Sequence, residues 1–427
     1  MTPRFHRTWY WTQIGVLILP LVPALGIVAL AIAVVLTGKE QWRPILHSPP
    51  NWVLAIVGLW LLVSSWTALE PTEALLGLAN FLPFFVLFAA LSGLIKTPDQ
   101  LRRLAWLMVL PALPIAILGV GQLYGGWATN DLSQKVLGWR LVAYGEPTGR
   151  MSSVFIYANF LAAYLLLVGM LALGLGVETY RSWQRGHPHP GRGLLLLLIL
   201  ALCGTGILLS SSRSAWAIAC LGGLAFALYL GWYRLVWGVA AAAASILWAS
   251  FGTWGRDWLR RIVPAFFWAR LSDRLYPDRP LASLRVTQWQ FAWEMTQQRP
   301  WLGWGLRNFT PLYETHMNWW LGHPHNLALM LTAETGIPAA LLLIGVVGWI
   351  LSCAVLRLRE EALGGDRLIL FSYVVAFGSC SLFNLLDVTV YDLRVNTMGW
   401  LVLSAIYGVV RGKMIASNRQ APEASVL

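Results

Sequence analysis

Charge is scarce in this sequence. Asp, Glu, Lys and Arg together make up 12% of its 427 residues, against 57% for the apolar set AVILMFWYC. Such a balance excludes an ordinary soluble enzyme and leaves no basis for a nucleic-acid partner, so the chain reads as a polytopic membrane protein among membrane lipids. Cysteine is scarce as well. Cys203, Cys220, Cys353 and Cys380 all lie in apolar segments, so neither disulfides nor a zinc site is expected. Lysine is nearly missing, supplying only 4 of the 31 basic residues. The positive charge is therefore almost entirely guanidinium, the group that grips phosphate or carboxylate bidentately. A base composition that favours arginine everywhere is the alternative, and position along the chain must decide. No cleavable signal peptide is expected, because the first apolar run is long and leads into others.

Long apolar runs are what the chain has in plenty. A run of about 20 residues crosses a bilayer as a helix, and helix is the expected form because only helices and closed barrels satisfy their backbone in lipid. The first run, 12–36, is broken by Pro20 and Pro23, which suits two short spans hinged at the prolines. Further spans are expected at 52–66, 75–95, 104–124, 154–176, 194–209, 215–231 and 235–251, and after a long loop at 338–356, 368–386 and 396–410. The expectation is an all-α integral membrane protein of about twelve crossings, or about eleven if the first run crosses once. It divides into an N-terminal bundle (1–251), a loop region with interfacial helices (252–337), C-terminal transmembrane helices (338–411) and a tail (412–427).

Orientation follows from the short loops. Lys39 with Arg43, Lys96 with Arg102 and Arg103, Arg357 with Arg359, and Arg411 with Lys413 fall in alternate connections, which are therefore cytoplasmic. With about twelve crossings both termini are cytoplasmic, as is the tail. The basic residues left outside are then informative: Lys135, Arg140 and Arg150, Arg213 in a tight serine-rich turn, and Arg394. The external loop 252–322 adds nine arginines, among them Arg274, Arg279 and Arg285, with five acids and no lysine. An external surface that attracts anions is implied. Taken alone, Arg213 is equally a helix-end arginine snorkelling to headgroups. Asp387, Asp392 and Arg394 bracket the last external turn, where mutual pairing is expected. External carboxylates do not cluster as a magnesium-dependent enzyme would need, so no metal and no cofactor is expected.

The long loop ends in His323-Pro324-His325-Asn326, just before an apolar run that passes through Glu334, Gly336 and Pro338. Ionisable groups at a membrane boundary are costly unless they pair or work, and histidine suits proton transfer near neutrality. We read this stretch as the reaction centre; helix capping or headgroup contact is the alternative for an isolated histidine. Pro324 is expected to turn the two imidazoles apart, leaving His323 secondary. Arg285 opens a helical stretch that ends at Arg299-Pro300, and the glycines of Gly303-Trp304-Gly305 let the backbone turn back, which could carry Arg285 towards His325.

The run His325-Asn326-Leu327 with Gly336 beyond it resembles the histidine motif of the O-antigen ligase and polymerase family of bacterial envelope glycosyltransferases. So do Ser212-Arg213-Ser214-Ala215-Trp216, the Arg285 and Trp289 pair, and Arg299-Pro300-Trp301-Leu302-Gly303-Trp304-Gly305 with Phe309. Ala217 stands where the ligase pattern has leucine. The resemblance implies a GT-C-like fold of about twelve helices, in the inner membrane of a bacterium, with its site on the periplasmic side. It implies an undecaprenyl-diphosphate-linked glycan donor and a lipid A core or other glycan acceptor. His325 would be the general base, Arg213 and Arg285 would hold the diphosphate with Arg150 and Arg394 as further candidates, and His323, Asn326, Gly336 and Asp387 would support them, without a metal. A ligase, a polymerase joining repeat units, and a small-anion transporter of the bicarbonate type remain open at this point.

Overall fold

The computed structural model describes residues 3–272 and 280–420. Arg274, Arg279 and residues 421–427 of the expected tail lie outside them. Every regular element among the described residues is helical. The helix α1 (Pro3–Ile18) turns back into α2 (Pro23–Leu46), so the broken first run folds as the hairpin that Pro20 and Pro23 predict. Gly26 of α2 lies so close to the backbone of Leu19 that a side chain there would collide with it.

Proline opens many of the helices that follow, because at the first helical positions its missing N–H is no loss and its fixed φ suits the helix. It does so in α3 (Pro49–Trp66), α4 (Pro71–Leu78), α5 (Leu82–Leu94) and α6 (Pro98–Val109). Then come α7 (Ala112–Gly125), the short α8 (Asp131–Leu137), α9 (Ala158–Gln184), α10 (Pro190–Leu209), α11 (Arg213–Tyr229) and α12 (Tyr233–Phe251). Five shorter helices cover one end of the bundle: α13 (Arg256–Ile262), α14 (Ala265–Leu271), α15 (Arg285–Gln298), α16 (Phe309–Met317) and α17 (Leu327–Thr335). The chain closes with α18 (Ile337–Leu358), α19 (Arg367–Asn384) and α20 (Leu393–Gln420).

Among the described residues ten helical segments are long and apolar enough to cross a membrane, with α4–α5 and α6–α7 each counted as one. The expected count of about twelve adds α1, of 16 residues, and α11, of 17. The chain is thus a multi-span membrane protein. The span expected from 154 starts instead at Ala158. Residues 151–157 run irregularly because Gln122 of α7 bonds them, accepting from the N–H groups of Ser152 (3.1 Å) and Ser153 (2.7 Å) and donating to the Ser152 hydroxyl.

The helices α9 and α20 form the centre of the bundle, whereas α12 is peripheral. Since lipid is as apolar as the helix faces, close packing and polar contacts hold such a bundle rather than water exclusion. Gly174 of α9 lies against Ser372 of α19, and Gly408 of α20 against the carbonyls of Ser92 and Ile95 at the end of α5. At the far end of the bundle Arg102 gathers Asp99, Glu178 and Asp366 at 2.8–3.0 Å.

Among the covering helices α17 is pinned by the turn at 299–309. Its backbone bonds to α17 and to the start of α18: Trp304 N–H to Ala333 O, Gly305 N–H to Glu334 O, and Ile337 N–H to Pro300 O, at 2.8–3.0 Å. Gly303 and Gly305 have φ of +68° and +96°, a region open to glycine at no steric cost. Gly408→Ala should lower the thermal midpoint in detergent, at a cost of about 1–3 kcal/mol for overpacking. Gly378→Ala on α19, where nothing lies near the added atom, is the control; equal midpoints for the two would contradict the close α5–α20 contact.

Candidate active site

Asp387 lies in the connection between α19 and α20 and is 1% exposed. Burial works against its charge, yet donors from three segments reverse the balance. His325 Nδ1 lies 3.0 Å from Oδ1, the Val388 N–H donates to the same oxygen at 2.8 Å, and the Asn159 amide donates to Oδ2. Together with the nearby imidazoles these hold the Asp387 carboxyl down at about 2. Asn159, in the first turn of α9, in turn accepts from Arg150 Nη2 at 2.6 Å, and Arg150 Nε donates to Ser210 O at 2.8 Å. A continuous chain therefore runs from Arg150 through Asn159 and Asp387 to His325.

The two histidines are not turned apart, as Pro324 suggested. Their ring centroids are 4.5 Å apart, edge to face, and His323 stacks on Tyr391. The reason is local: His325 takes φ of +52°, unusual for a residue with a Cβ, and its N–H donates to His323 Nδ1 at 3.2 Å. Asn326 then caps α17, its side chain accepting from Leu329 N–H at 3.0 Å. Burial pushes His323 down to about 4 against the pull of Asp387, with His325 and Arg285 adding to the fall. With Nδ1 of His325 donating to Asp387, its Nε2 is left to accept a proton, the arrangement a general base requires.

Arg285 begins α15 and is half-buried, without a hydrogen-bond or ion-pair partner among the described residues. Burial lowers its pKa, Asp387 acts the other way, and Arg213 and Arg150 lower it further. Those couplings place Arg150, Arg213 and Arg285 in one electrostatic neighbourhood with Asp387. Arg213 is exposed at the first position of α11. Arg394 is not part of this group. Its guanidinium is buried, donating to Pro20 O at 3.0 Å and Gly138 O at 2.7 Å, so it ties α20 to the first hairpin. The mutual pairing expected of Asp387, Asp392 and Arg394 is likewise corrected: Asp392 accepts from the Arg394 and Val395 N–H groups, while Asp387 turns to the histidines.

Gly336 joins α17 to α18 with φ of +82°, and a Cβ there would collide with the Trp301 carbonyl. Glu334, two residues earlier, is 1% exposed. Its Oε1 accepts from Phe309 N–H at 3.2 Å, and burial raises its pKa to about 7 against the donors at Arg307 and Phe309. Only its place in an apolar run marked it in the sequence. The donor atoms of His323, His325 and Asp387 lie within 4.8 Å of one another, a set of the kind transition metals accept. A metal there would have to displace the proton between His325 and Asp387.

Residues 196–344 match the family described as O-Antigen ligase. The match takes in Arg213, Arg285, His325 and Gly336 but not Arg150, Asn159 or Asp387. No curated protein matches the chain.

His323 and Glu334 should act on stability with opposite signs. His323 is lowered from 6.5 to about 4, so the folded state binds fewer protons than the unfolded one in that window and loses stability as pH falls through it. Glu334 is raised from 4.5 to about 7, so folding gains stability as pH falls through its window. As pH is lowered from about 6.5 to about 4.5, His323→Gln should become more stable, and Glu334→Gln less stable, relative to the wild type. Parallel midpoint curves for all three proteins would refute both assignments.

Proposed function

We propose that this chain, whose residues 196–344 match the family described as O-Antigen ligase, moves a glycan from undecaprenyl diphosphate to an acceptor hydroxyl. The acceptor is a lipid A core sugar or another glycan, and the site faces the external side of the bacterial cytoplasmic membrane. The observation that carries this reading is the 3.0 Å hydrogen bond between His325 and Asp387, set beside half-buried Arg285, which has no hydrogen-bond or ion-pair partner among the described residues.

His325 Nε2 takes the proton of the acceptor hydroxyl as its oxygen bonds to the anomeric carbon of the donor sugar. The bond from that carbon to the diphosphate oxygen breaks, and its electron pair leaves on undecaprenyl diphosphate. Asp387 keeps the imidazole in the tautomer that can accept the proton and stabilises the imidazolium that forms. Arg285 and Arg213 hold the charge growing on the leaving diphosphate. Arg150 supports the arrangement by bracing Asn159. A small-anion transporter would carry its ionisable groups near the bilayer midplane, whereas the group described above gathers at one end of the bundle.

In detergent, with a prenyl-diphosphate-linked glycan and an acceptor, the wild type should transfer in the presence of a chelator, and product size separates ligation from polymerisation. Arg285→Ala should lose about 100-fold or more in rate, the scale of one removed charge-stabilising donor, with an unchanged thermal midpoint. Anion uptake in proteoliposomes without transfer would overturn the reading. Transfer lost to the chelator and restored by zinc would put a metal among His323, His325 and Asp387 instead.

A further inference from the structure

A cavity of about 940 Å³ opens beside the histidines. His323, His325 and Tyr391 line it, whereas Arg150, Arg213 and Arg285 do not; Arg150 comes close, its guanidinium 5.6 Å from the ring centre of Tyr157, which does line it. Its charge is the reverse of the molecule's. The chain carries a net +12, yet Glu70, Glu73, Glu146 and Glu314 line this cavity against two basic residues, Arg140 and Arg307. These acids are not a run in sequence. Glu70 and Glu73 come from the start of α4, Glu146 from the loop before α9 and Glu314 from α16, so the fold assembles them. Arg307 is engaged with Glu73 at 3.0 Å. Glu70, Glu146 and Glu314 have no side-chain partner among the described residues.

The aromatic residues Tyr157, Phe160, Trp320 and Tyr391 line the same cavity. Carboxylates accept pairs of hydroxyl hydrogens in charge-assisted bonds, and flat aromatic faces cover the C–H faces of a pyranose. A concave site with a few polar groups set among aromatic rings is the usual form of a small-ligand pocket. The unpaired carboxylates give it a field that repels phosphate and carboxylate groups. Donor and acceptor would therefore meet His325 from regions of opposite sign, the diphosphate on the arginines and the acceptor among the acids.

We infer that this cavity receives the acceptor as a saccharide with no anionic group on the sugars nearest the attacked hydroxyl. The inference rests on the transferase reading for the word acceptor, but the charge selection can be read without transfer. The purified full chain, immobilised in detergent, is offered a pool of neutral and phosphorylated oligosaccharides released from a bacterial envelope, and the retained sugars are weighed by mass spectrometry. The wild type should favour neutral over phosphorylated species of equal length by about tenfold, or about 1.4 kcal/mol. The double variant Glu146→Gln/Glu314→Gln should narrow that ratio to about threefold or less. Equal retention by the wild type, or an unchanged ratio in the variant, overturns the inference. A matched transfer assay separates the two claims. Selective retention with no transfer to any acceptor would sink the transferase reading and keep the cavity's selectivity, whereas transfer indifferent to phosphate would sink the selectivity and keep the transferase.

Discussion

Asp387 is a carboxylate taken out of water, and the polar end of the bundle is arranged around keeping it charged. An ion buried without partners costs several kcal/mol, so its hydrogen bonds are structural requirements before they are anything else. Asn159 brings α9 to it, Val388 brings its own loop, and His325 brings the segment that starts α17. Once these are satisfied, the His325 ring has one orientation. The strained φ of +52° at His325 is held by the His323 ring on one side and the Asn326 cap on the other. Strain of that kind persists only where the surroundings over-determine it.

The rest of the chain makes this placement possible. Buried α9 and α20 bring Asn159 and the end of the Asp387 loop to the same level, and close contacts at Gly174 and Gly408 fix how the central helices approach. The turn at 299–309 and Gly336 lock α17 to α15 and α18, so the histidine segment is held from behind as well. Charge is sorted across this end of the molecule. Arg285, at the start of α15, feels the charges of Asp387, Arg213 and Arg150, and four carboxylates against two arginines line the cavity bounded by α4 and α16.

The membrane class, the helices and even the first hairpin were legible in the sequence, because apolar runs and proline positions act locally. Local rules failed where long-range partners decide. Residues 154–157 look like the start of a span, but Gln122, from another helix, captures the backbone of Ser152 and Ser153 just before them. Arg394 has the residue type and the position of an anion ligand, yet its guanidinium meets carbonyls of Pro20 and Gly138, far away in sequence. Asp387 was expected to pair with its neighbour Arg394, since proximity along the chain was the only guide. Its side-chain hydrogen-bond partners come from positions 159 and 325. Proline between two histidines suggested separation, and only the left-handed turn at His325 shows why the rings meet. Residue types thus pointed to this end of the molecule, while the pairing among them depends on tertiary contacts that no local pattern encodes.

The central claim is that His325 and Asp387 act as one unit in the chemistry. It is tested most directly by a double-mutant cycle on the rate of glycan transfer, with His325→Ala, Asp387→Ala and both together. A shared role predicts that the double variant is hardly slower than His325→Ala alone, because Asp387 acts only through that ring. Losses that multiply, so that each substitution removes its full factor regardless of the other, would contradict the account and leave Asp387 a structural carboxylate beside an independent histidine.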